Sequence, residues 1–134
     1  MASNKKVGND FEADLCKKLF DNGFWVHNLA QNQAGQPADV IAVKNRNAYL
    51  IDCKVCSTTR GFALSRLEEN QDLSMTLWEE CGNGEGWFAL LLAGEIYMIP
   101  HMFIQVYSKL QSTLSPSEIT KLGRPLDEWI LAWK

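Results

Sequence analysis

Two carboxylates and a lysine stand at a spacing that adjacent β-strands can bring together. They are Asp39, in Pro37-Ala38-Asp39, and thirteen residues later Asp52 and Lys54, in Asp52-Cys53-Lys54. Residues 38–43 (ADVIAV) and 49–55 (YLIDCKV) are apolar enough for strands, and the polar Lys44-Asn45-Arg46-Asn47 reads as the turn of a hairpin. Alternation along a strand puts Asp52 and Lys54 on one face and Ile51, Cys53 and Val55 on the other. Asp39, at the start of the partner strand, then lies opposite the Asp52 end. A carboxylate pair with a cation beside it, on strands otherwise too apolar to be solvated, suits a divalent metal and a phosphodiester.

Hydrolysis of a phosphodiester needs an activated water and neutralisation of charge on the phosphoryl group and leaving oxygen. Magnesium, with manganese as a substitute, supplies both, and it binds through one or two carboxylates while keeping several waters. The expected ligands are Asp39 and Asp52, with the backbone carbonyl of Cys53 as a third oxygen. Lys54, one strand period beyond Asp52, either orients the nucleophile or stabilises the developing charge. Two further residues carry two readings each. Glu12 stands beside the apolar stripe of the first helix, where a carboxylate needs a partner such as the metal or Lys54. Equally, Asn9-x-x-Glu12 has the spacing of a capping box. Gln71 falls on the inward face of the second helix, where its amide serves the site by bonding to it or holding a water; equally, it is a structural amide, buried there or exposed under another helix phase.

The elements that must position these groups follow from periodicity and punctuation. Phe11, Leu15 and Leu19, with Cys16, recur at helical spacing behind Asn9-Asp10, and Gly23 stops that helix. Residues 24–27 form a short strand, and residues 31–36 a polar loop leading into the hairpin. Beyond Lys54 comes a second polar loop, Ser57-Thr58-Thr59-Arg60-Gly61. Ser65-Arg66-Leu67-Glu68 has capping-box spacing and opens a helix with Leu67, Gln71, Ser74, Leu77 or Trp78, and Cys81 expected on one face. Gly82-Asn83-Gly84-Glu85-Gly86 ends it. Residues 87–93 and 96–99 are strands around the tight turn Ala93-Gly94-Glu95, and Pro100 closes the second of them before a helix over residues 101–110. Ser115-Pro116-Ser117-Glu118 is a further capping box, with proline at the first helical position. The end, Trp129-Ile130-Leu131-Ala132-Trp133, is apolar enough to pack on the body or on a partner chain. The order α-β-β-β-α-β-β-α, with a further C-terminal helix, predicts an α/β domain with one mixed sheet.

A chain of 134 residues suffices for one domain with one core. No apolar run approaches the ~20 residues of a membrane helix, and the N-terminal residues lack the apolar stretch of a signal peptide. A cytoplasmic protein with reduced cysteines is therefore expected. Cys53-x-x-Cys56 has half the spacing of a zinc site, but no second Cys or His pair completes it, and in a strand the two sulfurs point to opposite faces. The net charge of −3 weighs against a nucleic-acid partner on average. Its distribution does not: residues 40–66 carry Lys44, Arg46, Lys54, Arg60 and Arg66 against Asp52 alone, whereas residues 67–134 carry ten acids against four bases. Nucleic-acid binding needs a basic footprint rather than a basic average, and the basic segment is expected to surround the site.

Pro37-Ala38-Asp39 with Asp52-Cys53-Lys54 resembles the PD-(D/E)xK nucleases, whose restriction-endonuclease-like core runs αβββαβ. The loop Ser57-Thr58-Thr59-Arg60-Gly61-Phe62-Ala63-Leu64-Ser65, the later Gln71, and Tyr97-Met98-Ile99-Pro100 are similar to the pattern of Holliday-junction resolvases of the RecU and archaeal Hjc kind. The likeness spans about residues 7–103, leaving residues 104–134 as a helical tail of a single nuclease domain. It implies that Asp39, Asp52 and Glu12 are metal-site acids, that Lys54 is the catalytic lysine, and that Gln71 supports the site. It further implies a homodimer, without membrane attachment, that cuts opposed strands of a four-way DNA junction in recombination. Lys44, Arg46, Thr58, Arg60 and Arg66 are the expected DNA contacts. The RecU resolvases carry a long insertion between the two site strands, where this chain has only the Lys44–Asn47 turn. The alternatives are another nuclease of the same superfamily, acting on duplex ends, flaps or specific sites, and a non-catalytic DNA-binding module of the same fold.

Overall fold

The computed structural model describes residues 4–29 and 38–132. Pro37, the polar loop over residues 31–36 and Trp133 lie outside the described residues. The elements in order are α1 (Asn4–Asp21), β1 (Trp25–Asn28), β2 (Val40–Lys44), β3 (Asn47–Val55), β4 (Phe62–Ala63), a 3-10 turn (Leu64–Arg66) and α2 (Glu69–Glu80). They continue through β5 (Trp87–Leu92), β6 (Glu95–Pro100), α3 (His101–Leu110), β7 (Thr113–Leu114), α4 (Pro116–Leu122), β8 (Arg124–Pro125) and α5 (Leu126–Leu131). One mixed six-stranded sheet runs β1-β2-β3-β5-β6-β8, and β4 pairs with β7 apart from it. Among the described residues only β3 and β5 pair in parallel, with α2 as the crossover between them.

The β2–β3 hairpin forms as the residues predict. Val40 faces Ile51 and Lys44 faces Asn47 across the ladder. Asn45 and Arg46 take φ of 52° and 68°, the left-handed pair of a two-residue turn whose twist matches the strands it joins. Ala93 and Gly94, at 50° and 81°, make the second such turn between β5 and β6.

The sheet separates two cores. On one side Phe11, Leu15 and Leu19 of α1 pack on Val40, Ala42, Ile51 and Met98, and Cys53 and Val55 join them from β3. On the other side Leu50, Phe88, Leu90 and Ile99 meet Met75 of α2, Ile104 of α3 and Ile119 of α4. Cys53 and Cys56 belong to opposite cores, as strand alternation requires, and all four cysteines are free thiols. No helix among the described residues is long and apolar enough to cross a membrane.

Four expectations are corrected here. Helix α1 begins at Asn4, not at Asn9. Exposed pairs Lys6–Asp10, Asp14–Lys18 and Lys17–Asp21, each i,i+4, bridge successive turns and favour the helical register through and beyond Asn9. Asn9 is therefore interior, and Glu12 is not a capping residue. The Ser65–Glu68 capping box does not form: Glu68 is the N-cap and makes no side-chain capping bond. Pairing of Phe62 with Leu114, and the bond from Leu64 N–H to the Ser112 carbonyl at 2.9 Å, draw this segment to β7 instead. Gly61 permits that approach, since its φ is +85° and a Cβ there would lie 2.0 Å from the Leu114 carbonyl. The inward face of α2 is Gln71 and Met75, with Ser74 and Trp78 half-buried, while Leu77 and Cys81 are exposed.

Residues 104–132 pack on the body, one of the two outcomes expected of the apolar end, and carry short strands as well as helices. Strand β8 extends the sheet from β6, the capping box at Ser115 and Glu118 forms on both of its hydrogen bonds, and Trp129 is fully buried. The Trp129 indole stacks on Phe24 at 5.9 Å between centroids and meets Tyr49 and Trp87 edge-on at 5.2 and 5.6 Å. Trp25, by contrast, is exposed on edge strand β1, stacked on His27. Truncating Trp129 to alanine removes the keystone of this aromatic cluster. Chemical denaturation should show a loss of about 3–5 kcal/mol, the usual cost of a large buried aromatic; a loss under about 1 kcal/mol would show that the C-terminal segment is dispensable to the core.

Candidate active site

Strand β2 stays paired with β3 only as far as Val40 opposite Ile51. At Asp39 the chain turns away: its N–H still donates to the Ile51 carbonyl at 3.0 Å, and its carbonyl accepts from Leu29 N–H at 2.7 Å. The next ladder position on β3 is Cys53, whose N–H would lack a strand partner. The Asp39 side chain supplies one, with Oδ2 accepting from Cys53 N–H at 2.7 Å. A residue in a strand sends its N–H and C=O to the same edge, so the Cys53 carbonyl leaves β3 on the edge where Asp39 stands. Two residues further on, that edge is again filled by a side chain, with the Arg66 guanidinium donating to the Val55 carbonyl at 2.8 Å.

Asp52 lies on the α2 side of β3 and is 1 % exposed. Its Oδ1 accepts from Gln71 Nε2 at 3.1 Å. Its Oδ2 lies 3.2 Å from the half-buried Lys54 ammonium, an ion pair. Burial, and then the neighbouring Asp39 carboxylate, push the Asp52 carboxyl well above the ordinary carboxylate range, against the opposing pull of Lys54. Glu12 reaches the same edge from α1, on the opposite face of the sheet. Partial burial and then Asp39 push it up to about 7.

The structure therefore brings Asp39, Asp52, Lys54 and Gln71 together and places Glu12 within electrostatic reach of Asp39. Among the described residues no three His, Cys, Asp or Glu side chains close around one point as a ready-made metal cage. The donor set is nonetheless one of hard oxygens: two apposed carboxylates, one with an oxygen left without a hydrogen bond, and a carbonyl on the same edge. That chemistry fits a hard divalent cation completed by water.

The basic residues divide. Arg66 and the exposed loop carrying Thr58 and Arg60 lie at the site end of β3. A groove of about 650 Å³ opens there, lined by Val7, Gly8, Cys53, Val55, Ser57 and Arg66. Lys44 and Arg46 do not surround the site: they occupy the hairpin turn, about 17 Å of strand away from Asp39 at 3.4 Å per residue. The Lys44 ammonium is engaged there, donating to the Asn22 carbonyl at 2.8 Å and lying over the Phe24 ring. One grouping has no sequence-level expectation behind it. His101, by sequence an isolated histidine, is buried with Nε2 at 2.6 Å from Asp72, the residue next to Gln71. The i,i+4 spacing of His101 and Gln105, both bonded to Asp72, is the one trace of it in the sequence.

Comparison with known proteins bears on the family and the fold. No curated protein matches the chain. Among solved structures, Hjc of the archaeal hyperthermophile Archaeoglobus fulgidus, a Holliday junction resolvase determined at 1.6 Å resolution, superposes with a TM-score of 0.69. It is 22% identical, and the match covers 92% of this chain and 99% of that one, a likeness that carries the fold. The sequence profile of the family described as archaeal Holliday junction resolvase (Hjc) matches residues 3–121. This chain belongs to the archaeal Holliday junction resolvase family.

Proposed function

We propose that this resolvase cuts four-way DNA junctions as a magnesium-dependent endonuclease and that it does so as a two-fold homodimer. The observation that carries the reading is the buried Asp52 carboxylate, apposed to Asp39, bonded by Gln71 and paired with Lys54. Asp39, Asp52 and the Cys53 carbonyl would hold the ion. A bound divalent cation would supply charge neutralisation at the phosphate and an acidified water. Glu12 is the third acid, placed to share that charge or to take a proton from the water. Lys54, held by Asp52, presents its ammonium to the attacking water or to a phosphate oxygen, where negative charge grows in the transition state. Gln71 fixes the orientation of the Asp52 carboxylate. Arg66, with Thr58 and Arg60, lies where the backbone of a strand entering the groove would pass. Lys44 and Arg46, at the far end of the hairpin, would contact a more distant part of the substrate.

A four-way junction presents two opposed strands, and a two-fold dimer places two sites to match them. An apolar surface supports such an assembly. Leu73 and Leu77 of α2 are 62% and 59% exposed, and an apolar cleft of about 310 Å³, lined by Ile41, Leu50, Leu77 and Trp78, runs beside them. The same helix carries Glu69, Asp72, Glu79 and Glu80 and no basic residue, so this face repels phosphate and suits protein rather than DNA.

Three outcomes are expected. Asp52→Asn should lower magnesium-dependent cleavage of a synthetic four-way junction at least about 100-fold, and Lys54→Met by a similar factor, as for other groups that act on transition-state charge. Cleavage by Asp52→Asn at the parent rate would refute the proposed site. The raised Glu12 carboxyl sets a pH dependence: its neutral form favours the folded, metal-free protein below pH 4.5, and this stabilisation is lost as pH rises to about 7. Thermal unfolding of the metal-free protein should therefore show stability falling across that window while magnesium affinity rises, with both slopes reduced in Glu12→Gln. Leu77→Asp should convert a dimer to a monomer in sedimentation velocity and uncouple the two cuts. A variant that still sediments as a dimer would exclude this face from the interface.

A further inference from the structure

Helix α2 carries Gln71 to the site, yet little in its own sequence fixes its rotation. Its N-cap Glu68 makes no capping bond, only Gln71 and Met75 of the helix are buried, Trp78 packs half-buried near its far end, and within one protomer Leu73 and Leu77 are exposed. Packing at Met75 and Trp78 holds the middle and far end of the helix, and at its first turn a rotation of a few tens of degrees would withdraw the Gln71 amide from Asp52. The residue that resists this is Asp72, about 100° around the helix from Gln71.

A single oxygen of Asp72, Oδ1, receives two hydrogen bonds, from His101 Nε2 at 2.6 Å and from Gln105 Nε2 at 2.9 Å. A carboxylate oxygen accepts, so the imidazole is the donor when this contact is a hydrogen bond to the carboxylate. His101 and Gln105 are one turn apart on α3, and His101 is rooted in the sheet. Its backbone N–H donates to the Gly86 carbonyl at 2.9 Å, its ring lies beside Phe88 at 6.2 Å between centroids, and it is 2 % exposed. Through Gly86 and Phe88 the imidazole is tied to the start of β5, the strand that pairs with β3 at Asp52 opposite Phe88. The chain of contacts thus begins and ends at the Asp52–Phe88 pair, passing through His101, Asp72 and Gln71.

We infer that His101, Asp72 and Gln105 form a clamp that sets the rotation of α2 and so holds the Gln71 amide on Asp52. They are positioning residues for the proposed nuclease site, and the inference rests on that reading of Asp52. None of the three contacts Asp52 itself; each acts through Gln71. Partners that orient a site from one shell away commonly contribute 10–100-fold to activity.

The test is a set of variants read in two ways. Asp72→Leu should lower kcat on a four-way junction about ten-fold, with junction affinity within about two-fold of the parent, because the clamp touches no DNA. Asp72→Asn, whose amide oxygen still accepts from both donors, should restore most of the rate. In a Gln71→Ala background, adding Asp72→Leu should cause no further fall, since the clamp acts only through the missing amide. A further ten-fold fall in that background, or an unchanged kcat in Asp72→Leu alone, would overturn the inference. The second reading needs no turnover: the side-chain amide signal of Gln71 in a 15N–1H spectrum, assigned by its absence in Gln71→Ala. It should shift in His101→Phe and in Asp72→Leu and return towards the parent position in Asp72→Asn. Where Asp72→Leu fails to fold, His101→Phe and Gln105→Met take its place in both readings. An unmoved Gln71 signal would refute the clamp, whereas a parent protein that cuts no junction would refute the nuclease reading and leave the amide signal to decide the clamp.

Discussion

The structure turns on one electrostatic conflict: two aspartates, Asp39 and Asp52, held side by side where strand β2 leaves β3, one of them almost wholly removed from water. A buried carboxylate is costly, and a like charge beside it raises the cost. The fold offsets this in pieces. Asp39 replaces a missing strand partner at the Cys53 N–H, Lys54 lies against one oxygen of Asp52 and Gln71 against the other. What remains is an Asp52 carboxyl pushed well above its ordinary range and a third acid, Glu12, pushed up to about 7 by partial burial and by Asp39. An apolar pair at these positions would fold more comfortably, so the arrangement makes physical sense as a site prepared for positive charge.

The surrounding elements follow from that requirement. Because the first strand of the hairpin ends early, no strand among the described residues covers β3 at Cys53, and the parallel crossover to β5 brings α2 over the same point. Helix α1 approaches from one face of the sheet and α2 from the other, so Glu12 and Gln71 reach a single edge from opposite sides. The C-terminal third closes both cores through Trp129, Leu114 and Ile119, which keeps the sheet rigid behind the site. Family membership and the Archaeoglobus fulgidus fold agree with the arrangement of sheet and helices.

Much of this is legible in the residues because period-two and helical spacings are strong local signals. The alternation around Asp52 and Lys54, the stripe Phe11, Leu15, Leu19, and the capping box at Ser115 all survive folding unchanged. Where local signals compete, the wider context decides. Asn9 and Ser65 each head a plausible capping box, but upstream helix in one case and strand pairing with Leu114 in the other displace it. Strands of two residues, such as β4, β7 and β8, have no periodicity to read. Proximity in sequence also misleads for charge: Lys44 and Arg46 are close to Asp39 along the chain, yet a straight strand carries them to the opposite end of the sheet. The bond between Asp72 and His101 joins residues 29 apart, a separation at which a single sequence holds no pairing information.

The most direct measurement is a crystal structure of the protein soaked with manganese, read by its anomalous scattering. The account predicts one peak at the open edge of β3, between the Asp39 and Asp52 carboxylates and within ligand distance of the Cys53 carbonyl. Manganese bound elsewhere, or an Asp39–Asp52 pair left without metal at saturating concentration, would contradict it.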